Sequence, residues 1–558
     1  MDQRLLLDAV APLPVAPATA LGAFADWWIH LCSSPARQFE LARSAVRAGV
    51  DLVAAAAGQE VIEPLPQDKR FDDPAWREPP FRALSQAFLL QQSWWQDAST
   101  DIPGVTRHHA DMVSFAARQW LDMVAPSNFL ATNPVALRRT VETGGFNLWA
   151  GAFNTLEDVR RELLDLPPLG AGAFRPGSRV AVTPGRVVYR NRLMELIQYA
   201  PTTPTVHAEP ILMVPAWIMK YYVMDLSPEN SLVRHLVAQG FTVFIISWKN
   251  PNREDRDLDM DDYAQLGMQE ALGEIARILP GVKVHVCGYC LGGTLVAIVA
   301  ASLGRSGSEA LKSVTLLASQ TDFTEPGELG LFIDESQLAF LDRMTWRAGF
   351  LDKGDMRRAF QLLRSNDLVW SYRTRSQLLG ERQRFTDLMA WNADGTRLPR
   401  RMYMQYMRDF FLRNALARGL FELHGTAVNL ADIRVPIFNV GTVQDHVAPW
   451  RSVFKLQSLT DAEQTFVLTA GGHNVGIVNP PDNRIPSSYR LRVQRPGDRL
   501  LTADQWLTAT EPIAGSWWEA WVAWLARHSG RRVEARVPAA PSEGAALGNA
   551  PGLYVHQR

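Results

Sequence analysis

Between residues 180 and 472 the chain repeats one texture, a short continuous apolar run followed by sequence of helical character. The runs are "ILMVPAW" (211–217), "FTVFIISW" (241–248), "VKVHVCG" (282–288), "SVTLLAS" (313–319), "VPIFNVG" (435–441) and "QTFVLTAGG" (464–472). Runs of this length, rich in β-branched residues, suit parallel strands buried on both faces. Alternation with helices implies right-handed crossovers, so the expected core is α/β with a sheet of six or more strands. "VAVTPGRVVYR" (180–190) reads as two further strands around a Pro-Gly turn.

The flanking regions have other textures. Residues 1–175 read as a mainly helical N-terminal domain without a strand of quality. Within it "HHADMVSFAARQWLDMVA" (108–125) places Met112, Phe115, Ala116, Trp120 and Met123 close to a 3.6-residue period. "LPPLGAGAFRPGS" (166–178) is the expected boundary, with a catalytic domain over 176–534. About 115 residues separate the run ending near Ser319 from the one beginning at Val435. That is too long for a crossover, and the expectation is a cap or lid insertion over about 322–430. Residues 535–558, rich in Ala, Pro and Gly, read as a flexible tail.

At 558 residues, 47% hydrophobic and 21% charged, the chain has the composition of a globular protein with two or three cores. A net charge of −1 gives no field drawing it to nucleic acid. Three cysteines cannot make a disulfide framework, which points to a reducing, cytoplasmic compartment. The start only loosely imitates a secretory signal, since Asp8 and the prolines interrupt its apolar region. No stretch reads as a transmembrane segment. Of the 18 tryptophans, the pairs Trp27-Trp28, Trp94-Trp95 and Trp517-Trp518 suggest apolar docking surface.

"VHVCGYCLGGTLVAIVAA" (284–301) admits three readings. A phosphate cradle lacks the lysine of a Walker loop and the GxGxxG of a dinucleotide site. A redox dithiol has the right Cys287–Cys290 spacing, but thioredoxin-like domains are far smaller than this βα series. The third reading is a nucleophile elbow with Cys290 at its tip, Gly288 and Gly292 allowing strand and helix to approach, and Cys287 as a buried strand residue.

An α/β-hydrolase fold then needs an acid and a histidine, in that order, each after a late strand. "VPIFNVGTVQDHVAPW" supplies Asp445 and "TFVLTAGGHNVGIVNPP" supplies His473; Asp322 is the rival acid. His473 takes the proton from Cys290, and Asp445 holds the imidazole or itself serves as base. Oxyanion donors are expected from Leu291 and from the loop at Ala216 and Trp217, with His446 beside the acid as a further contact. A thiol attacking a thioester makes another thioester and so conserves acyl reactivity, which favours acyl transfer from coenzyme A over ester hydrolysis.

At these residues the sequence resembles the polyhydroxyalkanoate synthase family. The segments "VAVTPGRVVYRNRLMELIQYAPTT", "DLSPENSLVRHLVAQGFTVFIISWKNP", "GYCLGGT", "NDLVWSY", "QDHVAPW", "GGHNVGIVNPP" and "GSWWEAWVAWL" carry the likeness in family order, and "SWWQDASTDIPGVTRHHADMVSFAARQWLDMVAPSNF" extends it to the N-terminal region. The resemblance implies polymerisation of (R)-3-hydroxyacyl-CoA into a polyester with release of CoA, through an acyl thioester on Cys290, with Asp445 and His473 as acid and histidine. It implies a cytoplasmic homodimer at the surface of the growing polyester granule, with the N-terminal domain serving granule association and dimer support. No metal and no cofactor beyond the CoA thioester substrate are implied. The single long chain and "GYCLGGT" are similar to the single-subunit class using short-chain monomers, class I.

The sequence departs from the family at Ala216 and Met219 in "VPAWIMK", at Gln444 before the acid, and at Asn474 after the histidine. Two alternatives stay open: a thioesterase or esterase of the same fold, and a non-catalytic granule-associated protein.

Overall fold

The computed structural model describes residues 16–65, 68–164, 166–363, 365–482, 487–541 and 547–558. The chain forms two compact units, one of Met1–Leu169, Asp334–Phe340 and Gly354–Arg384, the other of Gly170–Ile333, Leu341–Lys353 and Phe385–Arg558. The insertion expected as a single cap is therefore divided. Its middle part joins the N-terminal helices through polar contacts that hydrophobic patterning does not reveal. Asn147 Nδ2 donates to the Leu378 carbonyl at 2.6 Å, Asn154 Nδ2 to the Ser376 carbonyl at 3.1 Å, and Arg382 bonds both Asn154 and Asp158.

In the first unit the main helices are α1 (Pro17–Cys32), α2 (Pro35–Ala56), α3 (Phe81–Ser99), α4 (Arg107–Val124), α5 (Pro134–Glu142) and α6 (Phe146–Leu163). Helix α4 starts where the Thr106 hydroxyl accepts from the His109 N–H. Its buried side is Val113, Phe115, Leu121 and Asp122, whereas Ala116 and Trp120 are exposed, so the expected face is rotated. The reason is ionic. Arg70 binds Asp68 at 2.7 Å and Asp122 at 2.8 Å, all with side chains 6–8% exposed, so a carboxylate occupies the inner face.

The second unit is built on one ten-stranded sheet. Its strands are β1 (Gly185–Arg190), β2 (Met194–Tyr199), β3 (Ile211–Val214), β4 (Val243–Trp248), β5 (Val284–Tyr289), β6 (Leu311–Leu317), β7 (Ile437–Thr442), β8 (Gln464–Thr469), β9 (Ser488–Gln494) and β10 (Ile513–Ala514). They lie in the order β1-β2-β4-β3-β5-β6-β7-β8-β9-β10. The stretch from β4 to β8 is parallel, and β1, β2, β9 and β10 pair antiparallel at the two ends. This is the expected α/β-hydrolase architecture.

Crossover helices include α7 (Leu232–Ala238), α8 (Glu270–Ile278) and α9 (Leu291–Arg305); α10 (Trp517–His528) follows the last strand. Helix α9 is buried from Gly292 to Ala301, which is why its sequence is apolar all round.

Three expectations need correction here. Residues 180–183 form no strand; β1 pairs with Met194–Tyr199, a segment whose second residue, Glu195, disguises it. Trp517 and Trp518 are not docking surface but core, 0% and 1% exposed, although Trp28 of α1 is exposed. The segment 547–558 is packed on the unit: Ala550 N–H donates to the Gly185 carbonyl, Val187 N–H to that of Gly548, and Val555 is buried. No helix among the described residues is long and apolar enough to cross a membrane.

Candidate active site

Strand β5 ends at Tyr289 and α9 begins at Leu291, so Cys290 alone makes the turn, at φ 54° and ψ −122°. Such a conformation is strained for a side-chain-bearing residue and is held only when its surroundings fix it. The Cys290 N–H donates to the Leu317 carbonyl of β6, and its own carbonyl accepts from Gly293 and Thr294. The glycines permit the close approach. A Cβ on Gly288 would lie 2.4 Å from Gly293 Cα, and one on Gly292 2.0 Å from the Val214 carbonyl oxygen. Both obstacles are backbone and cannot swing away. Cys287 points instead into the core, 1% exposed, and burial pushes its thiol far above the ordinary range. Neither cysteine is in a disulfide.

Asp445 and His473 stand on the loops after β7 and β8, adjacent parallel strands in direct register. His473 Nδ1 is 2.8 Å from Asp445 Oδ2, and Cys290 lies near enough for its charge to act on the imidazole. The Asp445 carboxylate is fully engaged. Oδ1 accepts from the N–H groups of Val447 and Ala448, while Oδ2 accepts from the Thr442 hydroxyl as well as the imidazole. Burial alone would raise its carboxyl, but the facing His473 charge and these donors hold it below the usual carboxylate range. For His473 burial works downward, yet negative charge on Asp445 and Cys290 prevails and holds the imidazolium well above the ordinary histidine value.

The remaining expected residues fall unevenly. Leu291 is the first residue of α9, where backbone N–H groups have no partner within the helix. Ala216 and Trp217 follow directly on the Val214–Pro215 backbone that abuts Gly292. The Trp217 indole turns into the core against Trp248 and Tyr263, so that residue faces the elbow with backbone at most. His446 is exposed, and no hydrogen bond among the described residues joins its side chain to the three. Asp322 is occupied elsewhere, accepting from Thr324 and lying 3.9 Å from Lys455.

Sequence reasoning missed several neighbours. The Tyr289 ring lies 5.4 Å from the imidazole, and its hydroxyl donates to Asn474 Oδ1 at 2.5 Å. The departure at Asn474 is thus a polar partner for the elbow tyrosine. Trp517 and Trp518 donate their indole N–H groups to the carbonyls of Gly476 and Ile477, pinning the loop that carries His473. Tyr406, from the insertion, is buried near the elbow, and that burial together with charge on Cys290 pushes its phenol up. The "GSWWEAW" motif was visible, but only the fold reveals what its indoles hold. A thiol beside an imidazole whose Nδ1 is fixed by a carboxylate is arranged for proton transfer and attack on an acyl carbon.

Residues 67–236 match the family model "Poly-beta-hydroxybutyrate polymerase (PhaC) N-terminus", and residues 209–480 match "alpha/beta hydrolase fold". The chain is 39% identical over 509 residues to "Poly(3-hydroxyalkanoate) polymerase" of Methylorubrum extorquens, covering 90% of this chain and 83% of that protein. It is 38% identical over 509 residues to "Poly(3-hydroxyalkanoate) polymerase subunit PhaC" of Cupriavidus necator, covering 89% and 84%. The corresponding protein of Rhizobium etli is 37% identical over 505 residues, covering 89% and 78%. The chain belongs to the poly(3-hydroxyalkanoate) polymerase family.

Proposed function

We propose that this family member polymerises (R)-3-hydroxyacyl-CoA through an acyl thioester on Cys290. The observation that carries the reading is the His473–Asp445 pair beside Cys290, whose sulfur sits at a strained strand-to-helix turn. His473 accepts the thiol proton, and the sulfur attacks the thioester carbonyl carbon. The oxyanion is met by the Leu291 N–H and by backbone of the 215–217 loop. Collapse expels the CoA thiolate, which takes the proton from the imidazolium and leaves as coenzyme A.

The 3-hydroxyl of another unit then attacks the acyl carbon while giving its proton to His473, and the ester bond forms as the Cys290 sulfur leaves. Both oxygens of Asp445 are already engaged, which favours an orienting role over direct abstraction from the hydroxyl. No metal or further cofactor enters this reading.

The homodimeric, cytoplasmic, granule-associated setting is part of the proposal. Association with granule and partner is supported by the apolar side chains Leu21, Phe24, Trp28 and Ile29 exposed along α1, and Phe146, Trp149, Phe153 and Leu156 along α6.

Incubation with 3-hydroxybutyryl-CoA tests the reading. Insoluble polyester with stoichiometric CoA release is expected; free 3-hydroxybutyrate as the main product would replace it with hydrolysis.

A further inference from the structure

The segment 547–558 reads from sequence as a loose tail, yet it makes specific contacts. Residues 548–550 run antiparallel along β1, at the edge of the sheet. Next, the N–H groups of Leu553 and Tyr554 converge on the Glu195 carboxylate at 2.9 Å each; that side chain is 0% exposed and also binds Arg190. The Tyr554 hydroxyl donates to the Asn191 carbonyl at 2.7 Å, and Gln557 Oε1 accepts from the Asn250 N–H at 2.8 Å.

The segment ends on a charge. Lys220 is 3% exposed, and its ammonium donates to the carbonyls of Tyr554 at 3.1 Å and Gln557 at 2.8 Å. Burial first, then Lys353 and Arg397, lower this lysine to about 8 against the opposing pull of Asp394. A buried cation held mainly by two carbonyls is costly to leave unpartnered.

Lys220 closes the loop that follows β3, the loop whose Val214–Pro215 backbone abuts Gly292 and which carries Ala216. On its other side the same loop is held by 391–396: the Trp391 indole donates to the Lys220 carbonyl, the Thr396 hydroxyl to that of Trp217, and the Thr396 N–H to that of Ile218. The loop is thus gripped from two directions, and one grip is the segment that follows residue 547.

We infer that residues 547–558 form a strap that positions the loop after β3, through Lys220, so that its backbone can meet the oxyanion formed at Cys290. The inference rests on the proposed acyl-transfer chemistry and assigns Lys220 and Glu195 as positioning residues. It separates two properties of the same sulfur. Alkylation by iodoacetamide needs the thiol activated but develops no oxyanion. Acylation by a thioester needs both.

The test compares the full chain with Lys220→Met, Lys220→Arg and a chain ending at Asn549. Cys290 alkylation and single-turnover acylation by 3-hydroxybutyryl-CoA are followed by mass spectrometry. The strap predicts that Lys220→Met keeps its alkylation rate within about twofold while acylation slows by about 10- to 100-fold. Lys220→Arg recovers part of the loss, and the shortened chain, if it folds, behaves like Lys220→Met. Unchanged acylation in Lys220→Met overturns the inference, as does an equal fall of both rates, which marks general disorder at the site. A full-length chain that is alkylated but never acylated sinks the acyl-transfer reading itself and the strap's role with it.

Discussion

His473 Nδ1 and Asp445 Oδ2 face each other at 2.8 Å, with the carboxylate side chain 0% exposed. Because the imidazole is held above its ordinary range and the carboxyl below its own, the pair is an ion pair over a defined span of pH. The direction of each shift fixes where its contribution appears.

A histidine raised on folding contributes fully below its unfolded value of about 6.5 and loses that contribution as pH rises through the folded value. A lowered aspartate contributes above about 3.9 and loses it as pH falls through its folded value. Asp445→Asn is therefore expected to cost about 3–5 kcal/mol, the range for breaking a buried pair, with the largest loss between about pH 4 and 6.5. Thermal unfolding of both proteins across pH checks this. The gap should narrow on the alkaline side; one that widens there contradicts the pair.

The elbow glycines give a stability prediction with its own control. Gly288→Ala and Gly292→Ala drive a methyl into backbone and should destabilise by about 1–3 kcal/mol or more. Gly273, inside α8 with nothing within 4 Å of its added Cβ, should instead gain about 0.5–1 kcal/mol as alanine. Denaturant midpoints measured side by side separate steric from helical effects.

Tyr289→Phe keeps the ring near His473 and removes only the hydroxyl that Asn474 accepts. A loss of about 0.5–1.5 kcal/mol is expected, a several-fold fall in turnover with little change in KM, because the missing bond fixes the histidine loop and binds no substrate. Asn474→Val should behave alike, and the double variant should lose little more than either single one. Steady-state rates of CoA release measure it.

In the first unit, Arg70→Met leaves Asp68 and Asp122 buried without their cation. Burial already pushes the Asp122 carboxyl up despite Arg70. The variant should lose about 3–5 kcal/mol, read by thermal unfolding. Adding Asp122→Leu should restore part of it.

What could be read from the sequence follows from how each element is buried. Strands β3 to β8 announce themselves because both faces are covered and each run stays mostly apolar around a few buried polar residues such as His285 and Asn439. Strand β9, "SYRLRVQ", has half-buried side chains and two arginines, so it carries no apolar run. Strand β2 hides behind Glu195, whose burial makes sense only once Arg190 and the 553–554 amides are seen around it. Cys290, Asp445 and His473 were legible because the motif dictates their order and loop context. Tyr289, Asn474 and the Trp517–Trp518 pair were not, since their contacts depend on how loops distant in sequence meet.

Everything in the catalytic account depends on which atom first holds the acyl group. Mass spectrometry of the chain quenched after a short exposure to 3-hydroxybutyryl-CoA measures it directly. The account predicts one hydroxyacyl group on the peptide containing Cys290, with one CoA released per adduct, no label on Cys287, and no adduct in Cys290→Ala. Label on a different residue, or polymer formed by Cys290→Ala at the unmodified rate, would contradict it.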